Sequence, residues 1–99
     1  MSQLHLIQNR LSFAEFDLQY NRLINQGDPV LFLNDSIYSL LEKDFLSQEF
    51  KRLTTTTEIY LIEEQVIARN ISELCAGFKL IDYADFVELS INASKVVSW

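Results

Sequence analysis

One cysteine and one histidine, Cys75 and His5, are the only thiol and imidazole in this chain. A hydrolytic triad needs a nucleophile, a base and an orienting group that converge, and these two lie far apart in sequence with no motif around either. His5 falls in a short apolar run and reads as a structural residue. Cys75 could carry a persulfide only as an accessible thiolate, favoured by a helix N-terminus or nearby cations. Its neighbours are Leu74, Ala76 and Glu73. That setting disfavours the thiolate, so a small apolar role fits Cys75 better than a catalytic one. Glu63-Glu64 offers two carboxylates, yet adjacency neither separates their acidities nor sets them across a substrate. A solvated helix start accounts for that pair. No Cys/His cluster has ligand spacing, and Gly27 and Gly77 are too few for a phosphate loop, so neither metal nor cofactor is expected.

Composition narrows the partners. The formal charge is −6, and Lys51-Arg52 is the only adjacent pair of cations. Binding a nucleic acid directly needs clustered cations that release counterions from phosphates, so this chain is not expected to bind RNA or DNA by itself. A lone cysteine precludes an intrachain disulfide, which fits a reducing compartment. No apolar run approaches the roughly 20 residues of a membrane span, and the N-terminus lacks a signal-peptide pattern. The expectation is a soluble, cytoplasmic protein.

The elements that must position these residues follow from periodicity and caps. With 99 residues, 48% of them hydrophobic, one domain over 1–99 can bury a single core. Leu4 to Ile7 suits a first strand. Ser12 and Glu15 form a capping box, and Phe13, Phe16, Tyr20, Leu23 and Ile24 follow at helical spacing. Gly27-Asp28-Pro29 ends that helix. Val30 to Leu33 reads as a strand buried on both faces. Asn34-Asp35-Ser36 offers caps for a helix through Ile37, Leu40 and Leu41, with a second helical stretch around Phe45 to Leu53. Thr54 to Thr57, all β-branched, disfavour helix and read as the approach to a third strand, Glu58 to Ile62.

Glu63-Glu64-Gln65 opens a helix through Arg69, its acids at the positive end, with Asn70 as a left-handed stop. Phe78 to Ile81 is the fourth strand. Asp82 caps a last helix, on which Tyr83, Phe86, Val87 and Ser90 share a face. The chain then finishes on Val96-Val97-Ser98-Trp99, apolar for a tail that would otherwise fray. Tyr83, Phe86 and Trp99 are therefore candidates for core packing or partner contact, tryptophan being enriched where interfaces gain most of their energy. Alternating strands and helices predict a small single-domain α/β sandwich: a mainly parallel sheet flanked by helices, with right-handed crossovers.

Several blocks, in order, resemble the TusB/DsrH family of sulfur-relay subunits. Gly27-Asp28, then Val30-Leu31-Phe32-Leu33-Asn34-Asp35, is similar to a Gly-Asp, hydrophobic strand, Gln-Asp-Gly pattern. Val66-Ile67-Ala68-Arg69 is similar to a Leu-Ile-Ala-Arg segment. Ile81-Asp82-Tyr83 with Asp85-Phe86-Val87 matches an Ile-Asp-Tyr-x-x-Phe-Val block. Leu4-His5 and the final Trp99 complete the frame, while Ser39 to Thr57 is weakly related. Asn34 stands where glutamine is usual, Ser36 where glycine is common, and Asn70 in place of the glycine after Ala-Arg.

The resemblance implies a DsrEFH-like fold and a non-catalytic subunit that assembles with TusC-like and TusD-like partners as a dimer of heterotrimers. Such a complex takes persulfide sulfur from a TusA-like carrier and passes it to a TusE-like protein, toward 2-thiouridine at the tRNA wobble position. The acceptor cysteine would lie on the TusD-like partner. Some members of the sulfur-oxidising branch carry a cysteine in the first half of the chain. This one does not, which favours tRNA thiolation. Two other readings stand beside it: a sulfurtransferase carrying persulfide on Cys75, and an α/β adaptor module without a sulfur role.

Overall fold

The structure is a computed structural model that describes residues 3–25, 27–42, 45, 50, 52, 55, 57–71 and 78–98. Cys75 and Trp99 lie outside the described residues.

The first strand, β1 (Gln3–Ile7), leads into helix α1 (Phe13–Leu23) through a complete capping box. Ser12 Oγ accepts from the Glu15 amide at 3.2 Å, and the Glu15 carboxylate accepts from the Ser12 amide at 3.4 Å. Gly27 then turns the chain at φ +91°, a conformation that costs a glycine little. Strand β2 (Val30–Phe32) is buried throughout and is followed by the short helix α2 (Ser36–Ser39). Asp35 makes no side-chain cap there. The Ser36 hydroxyl instead donates to the carbonyls of Ile7 and Leu33, tying the ends of β1 and β2 together.

Strand β3 (Ile59–Ile62) runs directly into helix α3 (Glu63–Ala68). Asn70 follows at φ +56°, the left-handed stop its residue type allows. Strand β4 (Lys79–Ile81), helix α4 (Tyr83–Asn92) and strand β5 (Lys95–Ser98) complete the chain. Asp82 caps α4 by accepting from the Asp85 amide at 2.7 Å.

Two expectations need correcting. The sheet has one strand more than the four expected: Lys95–Ser98 in the terminal apolar run is a fifth strand, laid parallel beside β1 with Leu4 opposite Val96 and Leu6 opposite Ser98. Pairing with a strand at the other end of the chain satisfies its backbone groups, which no local pattern could reveal. Thr55, read as an approach to strand, is helical. Its hydroxyl donates to the Arg52 carbonyl at 2.6 Å, a local bond that helical threonine can make.

All strand pairs are parallel, in the order β4-β3-β2-β1-β5. The chain steps one way from β1 to β4, then reverses across the whole sheet to β5. Crossovers of one hand therefore stack α1, α2 and α3 on one face and send α4 to the other. The packing agrees. Ile7, Val30, Phe32, Ile59 and Leu61 meet Phe16, Ile37, Leu40 and Val66 on the first face. Leu4, Leu6, Leu31, Leu33 and Ile62 meet Phe86, Leu89 and Ala93 on the second.

Candidate functional site

The carboxyl ends of parallel strands are where doubly wound sheets place their functional loops, because strand ends and helix starts converge there. In this chain the segments that follow β2, β3 and β4 meet around Gln65. Asn34, at φ +56°, leaves β2. Its amide donates to Gln65 Oε1 at 2.9 Å, and Gln65 Nε2 donates to Asn34 Oδ1 at 3.3 Å. The same Nε2 reaches the Tyr83 hydroxyl at 3.4 Å. Two blocks distant in sequence, Asn34-Asp35 and Asp82-Tyr83, are thereby joined by one amide side chain on the first turn of α3.

Beside this cluster, Tyr38 of α2 lies under two guanidinium groups. Arg10 from the β1–α1 loop and Arg69 from the end of α3 are each 5.7 Å from its ring centre. Arg10 also pairs with Glu42 at 3.1 Å, both side chains largely exposed. Cation–ring contacts at exposed sites contribute about 0.5–1 kcal/mol each, enough to orient the loops without rigidly fixing them. Glu63 and Glu64 are exposed at the start of α3, as a solvated helix start requires.

The opposite end of the sheet holds the buried polar group. His5 Nε2 lies 3.1 Å from Asp28 Oδ2, with the two side chains 0% and 3% exposed. Asp28 also accepts from the amides of Gln3 and Asn25, each at 3.0 Å. Burial acts to raise the Asp28 pKa. The Asn25 and Gln3 amides and His5 outweigh it and hold the carboxyl below its ordinary value. An imidazole and a carboxylate sealed from solvent cannot meet a substrate. The pair clamps β1 to the loop between α1 and β2.

A third group sits on the β3–β4 margin. Glu58 pairs with Lys79 at 3.2 Å and accepts from the Tyr60 hydroxyl at 2.5 Å. Burial, then the bond to the Glu58 carboxylate, pushes the Tyr60 phenol up to about 12. The Tyr60 bond first, and then Lys79, hold Glu58 below the usual glutamate value. Among the described residues, no group of three His, Cys, Asp or Glu side chains could hold a metal ion.

The residues singled out from sequence fall into different places. Phe86 packs onto the second face of the sheet, whereas Tyr83 points outward at 49% exposure. The predicted common face of Tyr83, Phe86, Val87 and Ser90 is therefore split. Phe86 packs with Leu89 and Ala93, and Val87 stays half exposed. Cys75 and Trp99 are not among the residues described. Sequence reasoning placed Gln65 at a helix start but had no signal for its bridging role. It also placed His5 and Asp28 in separate blocks without pairing them.

The site thus belongs to a small doubly wound α/β domain whose described polar groups position loops. The model of the family described as DsrH like protein matches residues 13–96, and this chain belongs to that family. Among curated relatives, Protein TusB of Buchnera aphidicola subsp. Schizaphis graminum (strain Sg) is 32% identical over 83 residues, covering 81% of this chain and 83% of the relative. Protein TusB of Escherichia coli (strain K12) is 27% identical over 79 residues, covering 79% and 81%. The crystal structure of the ychN protein from E. coli superimposes with a TM-score of 0.72 over the whole of both chains, at 15% identity. That likeness concerns the fold alone. Family membership supports a role related to sulfur relay, in partnership with other sulfur-relay proteins. Among the described residues, no helix is long and apolar enough to cross a membrane.

Proposed function

We propose that this chain is a non-catalytic subunit of a TusBCD-like complex that passes persulfide sulfur toward 2-thiolation of the tRNA wobble uridine. The observation that carries the reading is the family match over residues 13–96. The sequence around Cys75 adds to it: its neighbours are Leu74, Ala76 and Glu73, and no Lys or Arg stands within three positions of it in sequence to favour a thiolate. The acceptor cysteine then belongs to a TusD-like partner, and a TusC-like subunit completes the heterotrimer. TusA-like and TusE-like carriers visit the assembled cytoplasmic complex. Tyr83 and Trp99 are candidate contacts with those subunits.

The physical logic is that related α/β domains create, at their junctions, a setting no single domain has. The test is co-expression with TusC-like and TusD-like subunits and measurement of the purified mass by light scattering. A stoichiometric assembly at the mass of a dimer of heterotrimers is expected. A folded chain that stays apart from both subunits overturns the reading. Within the assembly, Cys75→Ser is expected to leave sulfur transfer to tRNA intact, measured as 2-thiouridine by mass spectrometry of digested tRNA. Loss of transfer with assembly unchanged would move the acceptor role to Cys75.

A further inference from the structure

Helix α4 carries more apolar surface than its own sheet uses. At 3.6 residues per turn, its side chains fall into three sectors. Phe86 and Leu89, with Ala93 just beyond the helix, pack onto the sheet. Asp85, Glu88 and Asn92 form a polar sector that, with Tyr60 and Ile81, borders an open cleft on the β3–β4 side. Tyr83, Val87 and Ile91 form the third sector, on the flank turned away from that cleft. They recur every four residues and are 49%, 51% and 74% exposed.

Scattered exposed hydrophobic residues are ordinary, but a contiguous row bordered by charge marks a recognition surface. A further exposed apolar side chain lies on the same face of the sheet. Val96 of β5 is 43% exposed and lies opposite Leu4, which faces α4. The upper end of the row is anchored, because the Tyr83 hydroxyl accepts from Gln65.

Charge decides what can sit there. Asp82, Asp85 and Glu88 lie on or next to the same helix, and the chain carries −6 overall. Of the nearest cations, Lys79 is paired with Glu58. Lys95 lies opposite Gln3 on the ladder, on the sheet face away from α4. A two-fold contact between copies would bring two acidic borders together, and such like-charge juxtaposition is penalised. A basic border on the other side would be attracted.

We propose that the Tyr83–Val87–Ile91 row, together with Val96, docks a partner subunit that presents an apolar patch bordered by Lys or Arg. The proposal rests on the relay-subunit reading, since the partner is taken from that assembly. The test compares association of the wild-type chain with the TusC-like and TusD-like subunits against Ile91→Glu, Glu88→Lys and the control Leu18→Glu, an exposed residue on α1. Thermal melts check that each variant folds, and Ile91→Ser serves as a milder variant should the glutamate disturb the helix.

Ile91→Glu is expected to weaken association at least about tenfold, the scale of a residue that matters in an interface. Glu88→Lys should weaken it less and reduce its salt dependence, while Leu18→Glu should change neither. Assembly unaffected by Ile91→Glu and Ile91→Ser overturns the proposed surface and leaves the relay reading intact. A wild-type chain that does not assemble overturns the relay reading and the docking proposal with it. Self-association of the isolated chain that Ile91→Glu abolishes would assign the row to a second copy and overturn the proposed partner.

Discussion

The two faces of the sheet are built from the same alternating strands and put to different uses. On one face the described helices α1, α2 and α3 pack beside an aromatic cluster. Phe13, Phe16, Phe32, Phe45 and Phe50 stack with ring centres 5.2–6.5 Å apart, and Phe16 touches the other four. On the other face a single described helix, α4, packs against Leu4, Leu6, Leu31, Leu33 and Ile62, and none of its residues is fully buried. The first face concentrates apolar contact inside the molecule. The second leaves a row of it at the surface. A small domain divides its hydrophobic residues between its own stability and recognition, and the exposure of the described side chains on each face shows where the division falls.

This contrast can be broken at graded cost. The largest effect is expected at the centre of the aromatic face: Phe16→Ala should lower stability by about 3–5 kcal/mol, a large share of what a domain this size has. Urea unfolding checks it. A loss as small as that from Val87→Ala would show the faces to be energetically alike. Asp28→Ala comes next, at about 2 kcal/mol, since it removes a buried carboxylate that accepts from the Gln3 and Asn25 amides.

The same carboxylate gives a pH signature. Its folded pKa lies below the unfolded value near 3.8, so its stabilisation is complete above that value. It is lost as pH falls through the lower folded pKa. The advantage of wild type over Asp28→Asn should therefore shrink as pH drops from about 5 toward 2. Parallel acid-unfolding curves would remove Asp28 from this role.

Smaller effects are expected at the carboxyl ends of the strands. Gln65→Ala should cost about 1 kcal/mol of stability, the net worth of partly exposed hydrogen bonds. Amide exchange at Asn34 should quicken, because that amide loses its acceptor. Arg10→Ala should change stability by less than about 1 kcal/mol, its ion pair with Glu42 being solvated. Indistinguishable exchange at Asn34 in Gln65→Ala would dissolve the loop cluster as a unit.

Much of this molecule was legible locally. The capping box at Ser12 and Glu15, the Asp82 cap and the left-handed stop at Asn70 each depend on a few neighbouring residues, and each is found where its pattern predicts. A continuous apolar run marked β2 as buried because a parallel strand is covered on both faces. The α4 face was less legible. Its helix is apolar around more than half its circumference, so periodicity could not tell which apolar residues the sheet would take. Tyr83 and Phe86 looked alike in sequence, and packing separated them.

The sequence by itself determined the order of the strands from β1 to β4 and of the helices beside them, the caps at Ser12 and Asp82, the stop at Asn70, and the family to which they belong. Each of these is written in short-range spacing that the backbone obeys wherever the segment lies. Only the tertiary structure decided that β5 closes against β1 and that His5 meets Asp28. It also joined Asn34 and Tyr83 through Gln65 and left Tyr83, Val87 and Ile91 uncovered. Those outcomes depend on which distant surfaces exclude water together, and a one-dimensional pattern records the tendency to be buried but not the partner that buries it.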